Sequence, residues 1–142
     1  NNISGDRIRP KMKLKINTAK FAIIIDKSQN IFTLKSDDEV FKIYNVATGL
    51  DNCTPVGTFT IINKIVDPVW YTQDAMVPSG SPKNILGSRW LGLSKEHYGI
   101  HGSTDSSGIG KQVTAGCVRM KNSDVEELYT IVPVNTEVVI VD

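Results

Sequence analysis

From Lys20 onward the chain is a series of short apolar runs, each closed by turn residues roughly every ten positions. Phe21 to Asp26 (FAIIID) ends in Lys27-Ser28-Gln29-Asn30. Ile31 to Lys35 ends in Ser36-Asp37-Asp38, and Val40 to Val46 follows with apolar Val40, Ile43, Tyr44 and Val46. β-Branched and aromatic residues in runs this short, bounded by turn formers, specify strands and hairpins. Pro55 and Gly57 fix a turn just before Thr58 to Ile62. Trp90 to Leu93 and Val138 to Val141 supply later strands. Only Ser123 to Tyr129 reads as a helix. Asn122 or Ser123 is its expected cap, Asp124, Glu126 and Glu127 favour its N-terminal end, and Val125, Leu128 and Tyr129 form an apolar face. Pro133 is expected to end it. The fold expected is mainly β, a sandwich or barrel with one short helix.

With 142 residues, 40% of them hydrophobic, the chain is long enough for one domain with a real core. A net charge of +1 gives no bulk electrostatic reason to expect nucleic acid or an anionic membrane as partner. No apolar run approaches the roughly 20 residues of a membrane span. The first residue is Asn rather than Met, so a fragment of a longer protein is expected, with any targeting segment upstream. Residues 1–17 differ from the rest. Arg7, Arg9, Lys11, Lys13 and Lys15 alternate with Ile8, Met12, Leu14 and Ile16, as on a half-solvated strand. Gly5-Asp6, Ile8, Pro10 and Lys13-Leu14 resemble the closing segment of a LysM carbohydrate-binding repeat, and read equally as an ordinary first strand or linker. The main domain is expected over residues 18–142.

Asp67 to Arg89 is rich in proline, glycine and serine and shows no period. A structureless loop of that length inside a compact domain is functional or disordered. Trp70, Tyr71 and Met76 argue for an ordered flap or cleft wall.

Chemistry concentrates between Tyr98 and Asn122 (YGIHGSTDSSGIGKQVTAGCVRMKN). His101-Gly102 is followed sixteen residues on by Cys117, across a loop of glycine, serine and aspartate. A thiol and an imidazole brought together in this way are the minimum parts of a cysteine nucleophile and its base. His101 and the short helix after Cys117 are both expected to lower the thiol pKa. The Gly102 carbonyl is placed to accept the Nδ1 proton, leaving Nε2 to face sulfur. Gly116 permits a tight turn, so the amides of Ala115, Gly116 and Cys117 are expected to converge on an oxyanion. Arg119 shares the Cys117 face of a strand and suits a substrate carboxylate, or else an ion pair with Asp105 or Asp124. His97 is the competing base. Residue by residue, each has a plainer reading: Cys117 as a small core side chain, Cys53 as a packed thiol or disulfide partner. The cysteine and histidine spacings lack the close pairing of a structural zinc site, and no metal is expected.

Taken together, the motifs resemble the L,D-transpeptidase catalytic domain of the YkuD type. They are Thr54-Pro-Val-Gly-Thr-Phe59, Pro78-x-Gly80-x-Pro82-x-Asn84, Leu86-Gly87-x-Arg89-Trp-Leu-Gly-Leu93, Tyr98-Gly-Ile-His-Gly102 and Gly116-Cys-Val-Arg-Met120 with Asn122 and Asp124. They cover nearly all of Lys20 to Asp142. The resemblance implies a β-sandwich with Cys117 as nucleophile, His101 as base and Gly102 orienting the ring. Arg119, Trp90, Ser103 and Thr114 would contact substrate. Many members carry histidine directly before the Gly-Cys pair, where this chain has Ala115, so the weight falls on His101. The implied reaction is acyl transfer on peptidoglycan stem tetrapeptides outside the cytoplasmic membrane. It releases D-Ala, forms 3-3 crosslinks through a thioester, and is open to carbapenem-type inhibitors. No cofactor is expected. Hydrolysis of the same bond by an L,D-carboxypeptidase, and a non-catalytic wall-binding module, are the competing functions.

Overall fold

A computed structural model describes residues 20–72, 74–103 and 105–142. The expected first strand and LysM-like segment within residues 1–17 lie outside the described residues. β1 (Phe21–Asp26), β2 (Ile31–Ser36) and β3 (Glu39–Asn45) form an antiparallel meander, with Ile23 opposite Leu34 and Phe32 opposite Tyr44. Strand period 2 explains which residues enter the core. Ile23 and Ile25 on β1 meet Leu34 and Phe32 on β2, and all four are fully buried. The turns place Asn30, Asp37 and Asp38 at positive φ, which their short polar side chains tolerate.

The long β5 (Gly57–Val66) joins two halves of one sheet. Its first four residues pair with β12 (Glu137–Val141), and from Ile61 onward it pairs with β8 (Arg89–Leu93) across a register shift. β12 in turn runs parallel to β1, while β9 (Gly99–His101) pairs with β8 and β11 (Val118–Arg119) runs parallel to β9. The resulting order is β11-β9-β8-β5-β12-β1-β2-β3. A bulged strand bends, and here the bend lets both halves and the helix α1 (Asn122–Ile131) share one core. Val125 and Leu128 of α1 are buried in the same hydrophobic cluster as Leu91 and Ile100 from one half and Phe32 and Leu34 from the other. The expected mainly β fold with one short helix is therefore present.

Two short pairings complete the architecture. β4 (Thr48–Gly49) runs parallel to β10 (Gln112–Thr114), and a 3-10 turn, Leu50–Asn52, follows β4. β6 (Trp70–Tyr71) and β7 (Met76–Val77) form a hairpin inside the expected flap. The flap is an ordered structure because its base is tied. The Asp67 amide donates to the Ser88 carbonyl at 2.8 Å, and the Asn84 side-chain amide donates to the carbonyls of Pro68 (2.9 Å), Val77 (3.2 Å) and Pro78 (3.3 Å).

The helix cap differs from expectation. Lys121 is the N-cap residue and offers no side-chain cap. Asn122 Oδ1 instead accepts the Ser88 amide at 3.0 Å, so one of the two residues expected to cap α1, Asn122 rather than Ser123, ties it to the flap stem. At the other end Val132 turns extended before Pro133, which disfavours helical backbone in the residue preceding it.

Candidate active site

The nucleophile loop leaves the end of β10 and is held by its own side chains. Thr114 Oγ1 accepts the Gly116 amide at 3.1 Å and donates to the Cys117 carbonyl at 2.7 Å. Gly116 has φ +137°, and a Cβ there would lie 2.8 Å from Tyr98 Cε1, so conformation and space both require glycine. One expectation is corrected by this turn. The Gly116 amide is engaged by Thr114, so it does not join Ala115 and Cys117 in a trio of oxyanion donors.

His101 lies on β9, 2% exposed, with Nδ1 2.8 Å from the Gly102 carbonyl. A carbonyl only accepts, so Nδ1 carries the proton and Nε2 keeps its lone pair. The surroundings immobilise this unit. The Gly102 amide donates to the Leu86 carbonyl at 3.1 Å, the Met120 amide donates to the His101 carbonyl at 2.8 Å, and a Cβ on Gly102 would lie 2.2 Å from Asn122 Oδ1. Trp90, across the β8–β9 ladder, stacks on the imidazole with 17° between the planes. Burial lowers the His101 pKa to about 4, against the opposing pull of the Gly102 carbonyl and with help from the Arg119 charge. The ring is therefore neutral at physiological pH.

The parallel register of β9 and β11 sets His101 opposite Arg119 and Val118 opposite Ile100. Cys117 enters β11 just before this pair, on the face that Arg119 shares. Its sulfur lies 3.7 Å from the His97 carbonyl, to which the thiol donates. Burial raises the Cys117 pKa; the Gly99 amide opposes the rise and the Cys53 thiol adds to it. This corrects the expectation of a thiol acidified by His101 and the helix. The helix starts only at Asn122, and a neutral, buried imidazole supplies no positive charge. The free site pairs a neutral thiol with a neutral base.

Cys117, His101 and Arg119 open on a cleft of about 910 Å³, walled by Trp70 and Ile85 of the flap on one side and Thr114 and Ala115 on the other. Trp90 and Thr114, two of the expected substrate contacts, line it. Ser103 does not: its hydroxyl turns back on its own loop, donating to the Asp105 carbonyl at 2.9 Å and accepting the Asp105 amide at 3.0 Å. Arg119 Nε is buried and, among the described residues, has no hydrogen-bond partner. The competing base, His97, adopts φ +72° with its ring exposed at the rim, so its backbone carbonyl rather than its imidazole meets the thiol. Cys53 and Cys117 are both free thiols.

Sequence reasoning missed two residues here. Thr54 reads as part of a turn, yet its hydroxyl reaches the Gly116 carbonyl at 2.8 Å. Lys27 reads as a turn residue, yet it is 3% exposed and its ammonium donates to the carbonyls of Asn52 and Thr54. The apolar run closed by turn residues showed where β1 ends, and gave no sign of which part of the chain would pass over that end.

The model of the L,D-transpeptidase catalytic domain matches residues 20–140. YqjB of Bacillus subtilis, named as an L,D-transpeptidase, is 38% identical over 126 residues, which span 84% of this chain and 70% of the relative. YkuD of the same species, named likewise, is 40% identical over 124 residues, 87% of this chain and 67% of the relative. Among solved structures, the L,D-transpeptidase LdtMt1 in complex with imipenem superposes with a TM-score of 0.72 at 18% identity, over 87% of this chain and 59% of that one. The chain thus spans about three fifths of that neighbour's length. On the match across residues 20–140 and the identity to both Bacillus relatives, the chain belongs to the YkuD family of L,D-transpeptidase catalytic domains.

Proposed function

We propose that this domain is a cysteine acyltransferase for peptidoglycan stem peptides. Cys117 attacks the carbonyl between the L-centre of a diamino acid and a terminal D-Ala. As the C–S bond forms, Nε2 of His101 takes the thiol proton; it returns that proton to the D-Ala nitrogen as the C–N bond breaks. The amine of a second stem then attacks the thioester, forming a 3-3 crosslink and restoring the thiol. The amides of Ala115 and Cys117 serve the oxyanion, and Arg119 binds a substrate carboxylate. This chemistry calls for no metal or organic cofactor, and its substrate places the domain outside the cytoplasmic membrane.

One observation carries the reading: a neutral imidazole with Nδ1 committed to the Gly102 carbonyl opens on the same cleft as the only thiol that lines it among the described residues. A thiol kept protonated by burial suits a step in which deprotonation and attack coincide. Flap residues Trp70 and Ile85 form one wall of the cleft in which that step takes place.

The test is intact-mass spectrometry after incubation with a carbapenem. The wild type and Cys53→Ser take up one covalent adduct; Cys117→Ala takes up none while staying folded. Turnover of stem peptide by Cys117→Ala, or an adduct on Cys53, overturns the assignment. Product analysis with and without an added acceptor amine separates crosslinking from hydrolysis.

A further inference from the structure

We infer that Thr54 is a positioning residue for the oxyanion hole, orienting the Cys117 amide through the Gly116 carbonyl. This rests on Cys117 being the acylated nucleophile. Thr54 is 1% exposed and touches no part of the cleft. Its hydroxyl makes two bonds whose directions are fixed. The Gly49 amide at 2.7 Å must donate to Oγ1, so the single hydroxyl proton goes to the Gly116 carbonyl at 2.8 Å.

The Gly116–Cys117 peptide is planar and trans, so its carbonyl and its N–H point in opposite directions. Holding one end aims the other. The two sides of this peptide also differ in surroundings. Gly116 and Thr54 face a closed, apolar contact with Phe59, Leu93 and Ile140, whereas Ala115 and Cys117 line the open cleft. With the carbonyl drawn towards Thr54, the Cys117 N–H is directed to the cleft side, where negative charge develops on the attacked carbonyl oxygen. Gly116 has no side chain to resist rotation about its own backbone bonds, so this peptide needs an external restraint.

Thr54 is itself anchored. The buried Lys27 ammonium holds its carbonyl and that of Asn52, the latter at 3.0 Å. Gly49 allows the close approach: a Cβ there would lie 2.8 Å from the Thr54 amide nitrogen and 2.4 Å from Cys53 Sγ.

The experiment compares two reagents on the wild type, Thr54→Val and Thr54→Ser. Imipenem acylates through a tetrahedral oxyanion. Iodoacetamide alkylates sulfur by displacement at carbon and forms no oxyanion. Loss of one oxyanion donor costs about 100- to 1,000-fold in rate, and a misaligned donor is expected to cost about 10- to 100-fold. Thr54→Val should therefore slow acylation by that factor and leave alkylation within about twofold. Thr54→Ser keeps both hydrogen bonds and should acylate at close to the wild-type rate. If Thr54→Val fails to fold, Thr54→Ala serves for the same comparison. Equal slowing with both reagents, or unchanged acylation, overturns the inference. A folded wild type that iodoacetamide alkylates and imipenem does not acylate overturns the proposed function instead.

Discussion

The burial of His101 makes folding stability depend on pH in a calculable way. An unfolded histidine titrates near 6.5, and the folded one titrates at about 4 because burial disfavours its charge. Between those values the unfolded chain binds the proton and the folded chain does not. Stability from this group is therefore fully present above about pH 6.5 and is lost as pH falls towards 4. A separation of about 2.5 units at 1.36 kcal/mol each amounts to about 3 kcal/mol. That is a large share of the 5–15 kcal/mol typical of a domain. The assay is urea unfolding at pH 7 and pH 4 for wild type and His101→Asn. The asparagine amide keeps a donor for the Gly102 carbonyl, and carboxylate effects cancel in the comparison. The wild type should lose about 3 kcal/mol more than the variant between the two pH values. Equal losses would refute the reasoning, as would a His101 resonance titrating near 6.5 in the folded protein.

The same neutral ring predicts the rate profile: acylation of Cys117 should hold its rate as pH falls from 7 to 5 and decline only near the His101 pKa of about 4, as read by the rate of carbapenem adduct formation. A half-maximal rate near pH 6.5 would place the base elsewhere. Gly102→Ala must displace Asn122, 2.2 Å from the added Cβ, and with it the carbonyl that fixes Nδ1. Acylation should fall at least about 10-fold with little change in carbapenem half-saturation, measured by stopped-flow fluorescence.

The strands were legible in the sequence because short β-branched and aromatic runs closed by turn residues specify them. Ile23, Ile25, Phe32 and Leu34 alternate with less buried neighbours in the fold, and the runs that hold them were read as strands; which residues of a run face the core was not, since Val40 and Ile43, apolar in sequence, are exposed. That His101 and Cys117 would come to line one cleft was legible too. The His101–Gly102 contact is between neighbours in the chain, so geometry local to the sequence creates it. The flap was legible in part: aromatic residues in a proline-rich loop signal order, but not that Asn84 holds the loop through three carbonyls.

What only the tertiary structure decided depends on groups far apart in sequence and on exclusion of water. Asn122 was one of two residues expected to cap the helix, with Ser123, and the Ser88 amide, brought close by the β8 stem, took its side chain instead. Ser103 was expected in the cleft, and a local turn with Asp105 withdrew it. The thiol pKa was expected to fall and rises. Sequence shows which charged or dipolar groups lie near along the chain, whereas desolvation follows from every atom packed around the sulfur. The bonds from Thr54 to Gly116 and from Lys27 to Thr54 span 62 and 27 positions. Strand patterns say where each segment runs extended. They do not say which distant loop lies beside it, because that is fixed by the bend at β5 and the parallel pairing of β4 with β10.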